Sequence, residues 1–134
     1  MIGLDSNALL RWLAADALPP EDAPQVEAVG RLLATSEEPV FVSLVVLAET
    51  VWTLKDRMRQ SRAEIAVAVG ALLDEPRLVL ADAGAVAEAR DAYAAGGAGF
   101  ADHLLGALAT RAGCRTTFTF DKRAAQGPHF TLLA

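Results

Sequence analysis

The chain has 134 residues, 53% of them hydrophobic and 22% charged, which excludes an intrinsically disordered chain and allows a core without disulfide or metal staples. Seventeen acidic residues against twelve basic give a net charge of −5, which argues against gripping nucleic acid through a broad basic surface. The single cysteine, Cys114, excludes an intrachain disulfide and a multi-cysteine zinc site, and the reducing cytoplasm is the simplest address.

One domain over residues 1–134 is expected, since the only loop-like break, Asp16 to Pro24, is too short to divide domains. The richest apolar stretch, Val40 to Ala48, is broken by Ser43 and falls short of the roughly 20 residues that a membrane span needs. The start, Met-Ile-Gly-Leu-Asp, has no basic region and meets a carboxylate at position 5, so no signal peptide is expected.

In chain order, Met1 to Leu4 reads as a short buried strand ending in Asp5, and Ser6 to Ala15 as a helix. Pro24 to Thr35 is a second helix, with Val26, Val29, Leu32 and Leu33 on one face. Val40 to Val42 is a strand, and Ser43 caps a helix whose apolar stripe is Leu44, Leu47, Ala48, Val51, Leu54 and Met58. Ser61 and Glu64 have capping-box spacing and open a helix that ends near Asp74. Arg77 to Ala81 is a strand, and Asp82 is placed to cap a helix reaching Ala95. After the glycines at 96, 97 and 99, Ala101 to Ala112 is a helix stopped by Gly113. Thr116 to Phe120 is a strand ending in Asp121, and His129 to Leu133 is the last strand. Alternating strands and helices imply an α/β fold: a central, mostly parallel sheet flanked by helices in three layers. In such sheets the ligand crevice lies at the carboxyl ends of the strands.

Asp5 and Asp121 both fall at such strand ends, although each alone fits turn chemistry as well. Glu49 has Val45, Val46, Trp52 and Thr53 as its helical neighbours, so full solvation is not expected. A carboxylate there calls for a cation, a hydrogen-bond network or a raised pKa. Asp102 lies in the first turn of a largely apolar helix, where the helix dipole alone accounts for it; alternatively, a helix start aimed at the crevice presents a carboxylate to a metal. Carboxylates share a small volume only if something positive neutralises them, and oxygen-only donors select Mg²⁺ or Mn²⁺. No Cys/His constellation competes; His103 and His129 are isolated in sequence, and His103 reads as a partly exposed helix residue.

Asp5-Ser6-Asn7, Glu49 within Leu-Ala-Glu-Thr-Val-Trp, Phe100-Ala101-Asp102-His103-Leu104-Leu105 and Thr117-Phe118-Thr119-Phe120-Asp121-Lys122 together resemble a PIN domain. More narrowly they resemble a VapC-type ribonuclease toxin of a type II toxin–antitoxin system. The resemblance implies a PIN-like three-layer sandwich and an endoribonuclease. Its product carries a 5′-phosphate, and a structured RNA such as tRNA is the expected substrate. It implies Asp5, Glu49, Asp102 and Asp121 as the catalytic, metal-binding quartet around one or two Mg²⁺ ions. In that scheme Asp5 and Asp102 are the most direct ligands, and Glu49 and Asp121 act partly through water on the metal. Ser6, Asn7, Thr117 and Thr119 match the polar residues around the quartet. His103 is a departure, standing where small or apolar residues are common. A homodimer and a cognate VapB-like antitoxin are the implied partners, the antitoxin's C-terminal segment lying in a groove between helices.

The charge is compatible with this: without the quartet, 13 acidic residues face 12 basic ones. Lys55, Arg57, Arg59 and Arg62, with Lys122 and Arg123 and also Arg11, are candidates for RNA phosphate contacts. A solvated helix end accounts for the first group equally well. Trp12 and Trp52 read as core or interface residues rather than base-stacking platforms. A mean hydropathy of +0.30 points to apolar surface covered by a partner. Two other readings stand beside this one. A receiver-like or haloacid-dehalogenase-like phosphotransfer domain would also carry a strand-end Asp and Mg²⁺, but the dehalogenase type wants Asp-x-Asp where this chain has Asp5-Ser6-Asn7. A catalytically inert interaction module of the same fold would be expected to lack part of the quartet.

Overall fold

The computed structural model describes residues 1–134. Strands β1 (Ile2–Gly3), β2 (Val40–Val42) and β3 (Leu78–Leu80) form one parallel sheet in that order, with Ile2 opposite Val40 and Val40 opposite Leu78. Strands β4 (Thr117–Thr119) and β5 (Phe130–Leu132) form a second parallel pair, with Thr117 opposite Phe130. Helices α1 (Ser6–Leu13) and α2 (Ala23–Thr35) link β1 to β2, and α3 (Leu44–Asp56) and α4 (Arg62–Asp74) link β2 to β3. Helices α5 (Ala83–Ala95) and α6 (Phe100–Arg111) precede β4. Parallel pairing sends the ends of β1, β2 and β3, and hence Asp5, Ser43 and Asp82, to one edge of the sheet. The expected parallel α/β architecture is thus present, divided into two ladders rather than one.

Helix boundaries follow local chemistry. The Ser43 hydroxyl accepts from Val46 N, and Ser61 with Glu64 forms a reciprocal capping box. The hydrogen bond from Ser61 N holds the Glu64 carboxyl below its usual pKa. Asp82 does not cap α5: it lies in the left-handed region at φ 48, ψ 51, and its side chain makes no capping bond. A capping residue needs extended backbone to turn its side chain onto the first N–H groups, and Asp82 lacks it.

The core joins the sheet to every helix. Leu9, Leu33, Leu47, Leu54, Ile65 and Leu72 are fully buried, each stabilising the fold by roughly 1.5–3 kcal/mol through apolar burial. On α2 the buried face runs through Val26, Val29 and Leu33, while Leu32 turns outward. Helical periodicity sets 29 and 33 on one line and puts 32 well to its side. Of the two tryptophans, Trp12 packs against the core, but Trp52 is exposed, with the Arg57 guanidinium 5.7 Å from its ring centre. No helix is long and apolar enough to cross a membrane.

Candidate active site

Asp5 follows β1 after one intervening residue, Leu4, and is the N-cap of α1. Its Oδ1 accepts from Ala8 N at 2.9 Å. That one bond fixes the side chain at the sheet edge and leaves Oδ2 without a partner. The next residue, Ser6, donates its hydroxyl to Glu49 Oε2 at 2.9 Å, tying α3 to the start of α1. Helix α3 in turn packs on α6. Ala48 and Ala101, neighbours of Glu49 and Asp102, line the same groove between those helices. The Ser6–Glu49 bond and the groove between α3 and α6 thus link the elements that carry Asp5, Glu49 and Asp102.

Glu49 itself is exposed, contrary to expectation. Its apolar neighbours Val45 and Trp52 are 68% and 56% exposed, so this face of α3 is an uncovered apolar surface rather than core. Asp102 is half-buried in the first turn of α6, and its carboxylate has no hydrogen-bond or ion-pair partner within the chain. Asp121 follows β4 in a tight turn. Its Oδ1 accepts from Arg123 N at 2.8 Å and Ala124 N at 3.2 Å, and its own N–H donates to Thr119 Oγ1 at 2.9 Å. Thr117 lies on β4 without a side-chain bond, and Asn7 is exposed, its carbonyl accepting from Arg11.

Ion pairs elsewhere engage Asp22, Glu27, Glu38, Glu75, Glu88 and Asp91, yet none of Asp5, Glu49, Asp102 and Asp121 meets a cation. Each of the four keeps at least one oxygen free of protein donors. The donor set fits a hard divalent cation in kind: exposed or half-exposed carboxylate oxygens with no competing nitrogen or sulfur ligand. It is not a closed cage, because no three Asp, Glu, His or Cys side chains stand close enough to hold one ion as they lie.

The basic residues divide. Lys55, Arg57, Arg59, Lys122 and Arg123 are exposed. Arg62 is not free for a phosphate. Its Nη1 donates to Tyr93 O and Ala98 O, both at 3.0 Å, its Nη2 to Gly97 O at 3.2 Å, and its guanidinium lies 4.2 Å from the Tyr93 ring centre. Arg11 is likewise engaged, with Gln25 Oε1 at 2.7 Å and Asp22 Oδ1 at 3.6 Å. His103 is half-buried, with Nε2 3.0 Å from Gly96 O and its ring edge-on to Tyr93. Arg62 and His103 together hold the glycine loop that leads into α6 and Asp102. The only sequence signal for this was the loop itself, since the acceptors are backbone carbonyls.

The family model for the PIN domain matches residues 2–128. The chain belongs to the PIN domain family. Members of the family are generally metal-dependent nucleases. A comparison with curated proteins found no match. Membership in the PIN family sets aside the receiver-like and dehalogenase-like readings.

Proposed function

We propose that this PIN domain is an endoribonuclease of the VapC toxin type, using Mg²⁺ or Mn²⁺ held by Asp5, Glu49, Asp102 and Asp121. The observation that carries the reading is a quartet of acids in a PIN domain, none paired with a cation of the chain. Carboxylates that the chain leaves uncompensated are brought together at lowest cost by a divalent ion that neutralises them.

When bound, such an ion neutralises phosphoryl oxygens and lowers the pKa of an attacking water. The chain's own contribution is placement. Backbone N–H groups of Ala8, Arg123 and Ala124 hold one oxygen each of Asp5 and Asp121 and leave the other free. Ser6 does the same for Glu49. Hydrolysis adds water to phosphorus and breaks the bond to the 3′ oxygen, leaving a 5′-phosphate and a 3′-hydroxyl. No side-chain nucleophile is needed. The Ser43 hydroxyl is engaged as a helix cap, and Cys114 is exposed without a histidine partner.

Two features support the toxin reading. The all-apolar groove of about 300 Å³ between α3 and α6, lined by Val45, Leu104 and Leu105 among others, suits a homodimer contact. Grooves of about 390 Å³ between α1 and α2, and about 470 Å³ between α1 and α4, suit the C-terminal segment of a VapB-like antitoxin. A cytoplasmic tRNA or similarly structured RNA is the substrate class that this reading implies.

The test is RNA cleavage by the antitoxin-free protein with Mg²⁺ or Mn²⁺, with and without EDTA, beside Asp5→Asn. Cleavage abolished by EDTA and lost in a folded variant supports the reading. EDTA-resistant cleavage that survives in the variant overturns it.

A further inference from the structure

A cavity of about 400 Å³ opens between the C-terminal end of α5, the glycine loop and the turn before β5. Its volume lies within the range of small-molecule pockets and is ample for one nucleotide. It borders the candidate site from two sides. His103, which lines it, follows Asp102, and Arg123 and Ala124, which also line it, donate their N–H groups to Asp121.

The sign of its lining is unusual for this molecule. In a chain with 17 acids against 12 bases, no carboxylate lines the cavity. The residues that line it are Arg123, Gln126, His103, His129, Phe130 and small residues. The groups facing the imidazoles from neighbouring elements are Gly96 O and the Tyr93 ring for His103, and Thr110 and Glu88 for His129. Arg123 has no ion pair and no side-chain hydrogen bond, so its charge is available to a ligand. The opposite wall is held in place: Arg62 bonds to the carbonyls of Ala98 and Gly97, and Gly97 takes a positive φ of 77° that a side chain would strain.

We propose that this cavity receives one unstacked nucleotide of the RNA beside the scissile bond, with a phosphate on Arg123 and the base between the glycine wall and Phe130. The proposal rests on the nuclease reading above for the identity of the polymer. Its chemistry is that of single-stranded recognition: one cation for a phosphate, apolar walls for a base, and the Gln126 amide for a base edge.

The test needs neither catalysis nor metal. The protein in EDTA is titrated with AMP, GMP, CMP and UMP, each separately, and followed by ¹H–¹⁵N NMR, with inorganic phosphate and free nucleosides as parallel arms. Saturable shifts confined to residues 96–103 and 123–130 are expected for at least one nucleotide, tighter than for phosphate or nucleoside alone. Arg123→Ala, at an exposed position that threatens no packing, weakens that binding by about tenfold, the value of a lost charge-assisted bond. Ala92→Phe, which fills the cavity from α5, weakens it without touching the cation. No shifts, shifts elsewhere, equal binding of phosphate alone, or unchanged binding by Arg123→Ala would each overturn the proposal. Nucleotide binding by a protein that cleaves no RNA would sink the nuclease reading and leave the pocket. Cleavage without nucleotide binding would sink the pocket alone.

Discussion

The Ser6 hydroxyl donates to Glu49 Oε2 at 2.9 Å across 43 positions of sequence. This bond joins the turn that carries Asp5 to the helix that carries Glu49, and it fixes one oxygen of Glu49 while leaving the other free.

Ser6→Ala removes that donor from an exposed pair, so global stability changes by less than about 1 kcal/mol. The divalent-ion requirement rises about tenfold, because partners that orient ligating carboxylates contribute on that scale. Cleavage measured across a Mg²⁺ or Mn²⁺ series, alongside urea unfolding, separates the two effects. A variant with wild-type ion dependence would show that Ser6 does not position Glu49.

Arg62→Ala removes three charge-assisted bonds to the carbonyls of Tyr93, Ala98 and Gly97. The expected loss is about 2 kcal/mol by chemical denaturation. Amide hydrogen exchange should accelerate chiefly over residues 96–104, the loop and the first turn of α6. Arg62→Lys recovers only part of the loss, since an ammonium cannot span the same acceptors or lie flat on Tyr93. Unchanged exchange in that segment would contradict the clamp.

How far the sequence reveals these features depends on the range of the interaction. Local devices are legible: the Ser43 cap, the capping box of Ser61 and Glu64, and the strand-end positions of Asp5 and Asp121 all follow from spacing within a few residues. Asp82 misleads because its residue type fits a cap while its left-handed backbone does not. Glu49 misleads for another reason. Apolar neighbours imply burial only when something covers them, and Val45 and Trp52 stand uncovered. The engagement of Arg62 is invisible in one dimension, since its partners are carbonyls more than 30 positions away that belong to no side-chain pattern.

Gly106→Ala is expected to destabilise despite a better helix propensity. A Cβ at this buried position on α6 would stand 2.7 Å from His129 Cβ and 2.9 Å from a Phe130 ring carbon. The propensity gain of about 1 kcal/mol is outweighed by overpacking of roughly 1–3 kcal/mol, because the nearest atom is fixed next to the backbone. Thermal unfolding reads the sign: a lowered Tm is expected, and a raised one would show that β5 yields freely.

The Glu75 carboxyl is lowered from its usual value near 4.5 to about 2, chiefly by hydrogen bonds from the Arg77 side chain. A depressed folded-state pKa gives stability that is present above the unfolded value and lost as pH falls through the folded one. That contribution therefore fades between pH 4.5 and about 2. Glu75→Gln flattens that part of the acid-side slope. Urea midpoints for both proteins at about pH 5 and about pH 2.5 check it, and parallel slopes would contradict the assignment.

The most direct measurement of the central claim is Mn²⁺ binding by calorimetry to the purified protein, compared with Asp5→Asn and Asp102→Asn. One or two bound ions, weakened by about tenfold or more in each folded variant, is the predicted result. No saturable binding by the unaltered chain, or equal binding by all three proteins, would contradict the claim that these carboxylates hold a divalent ion.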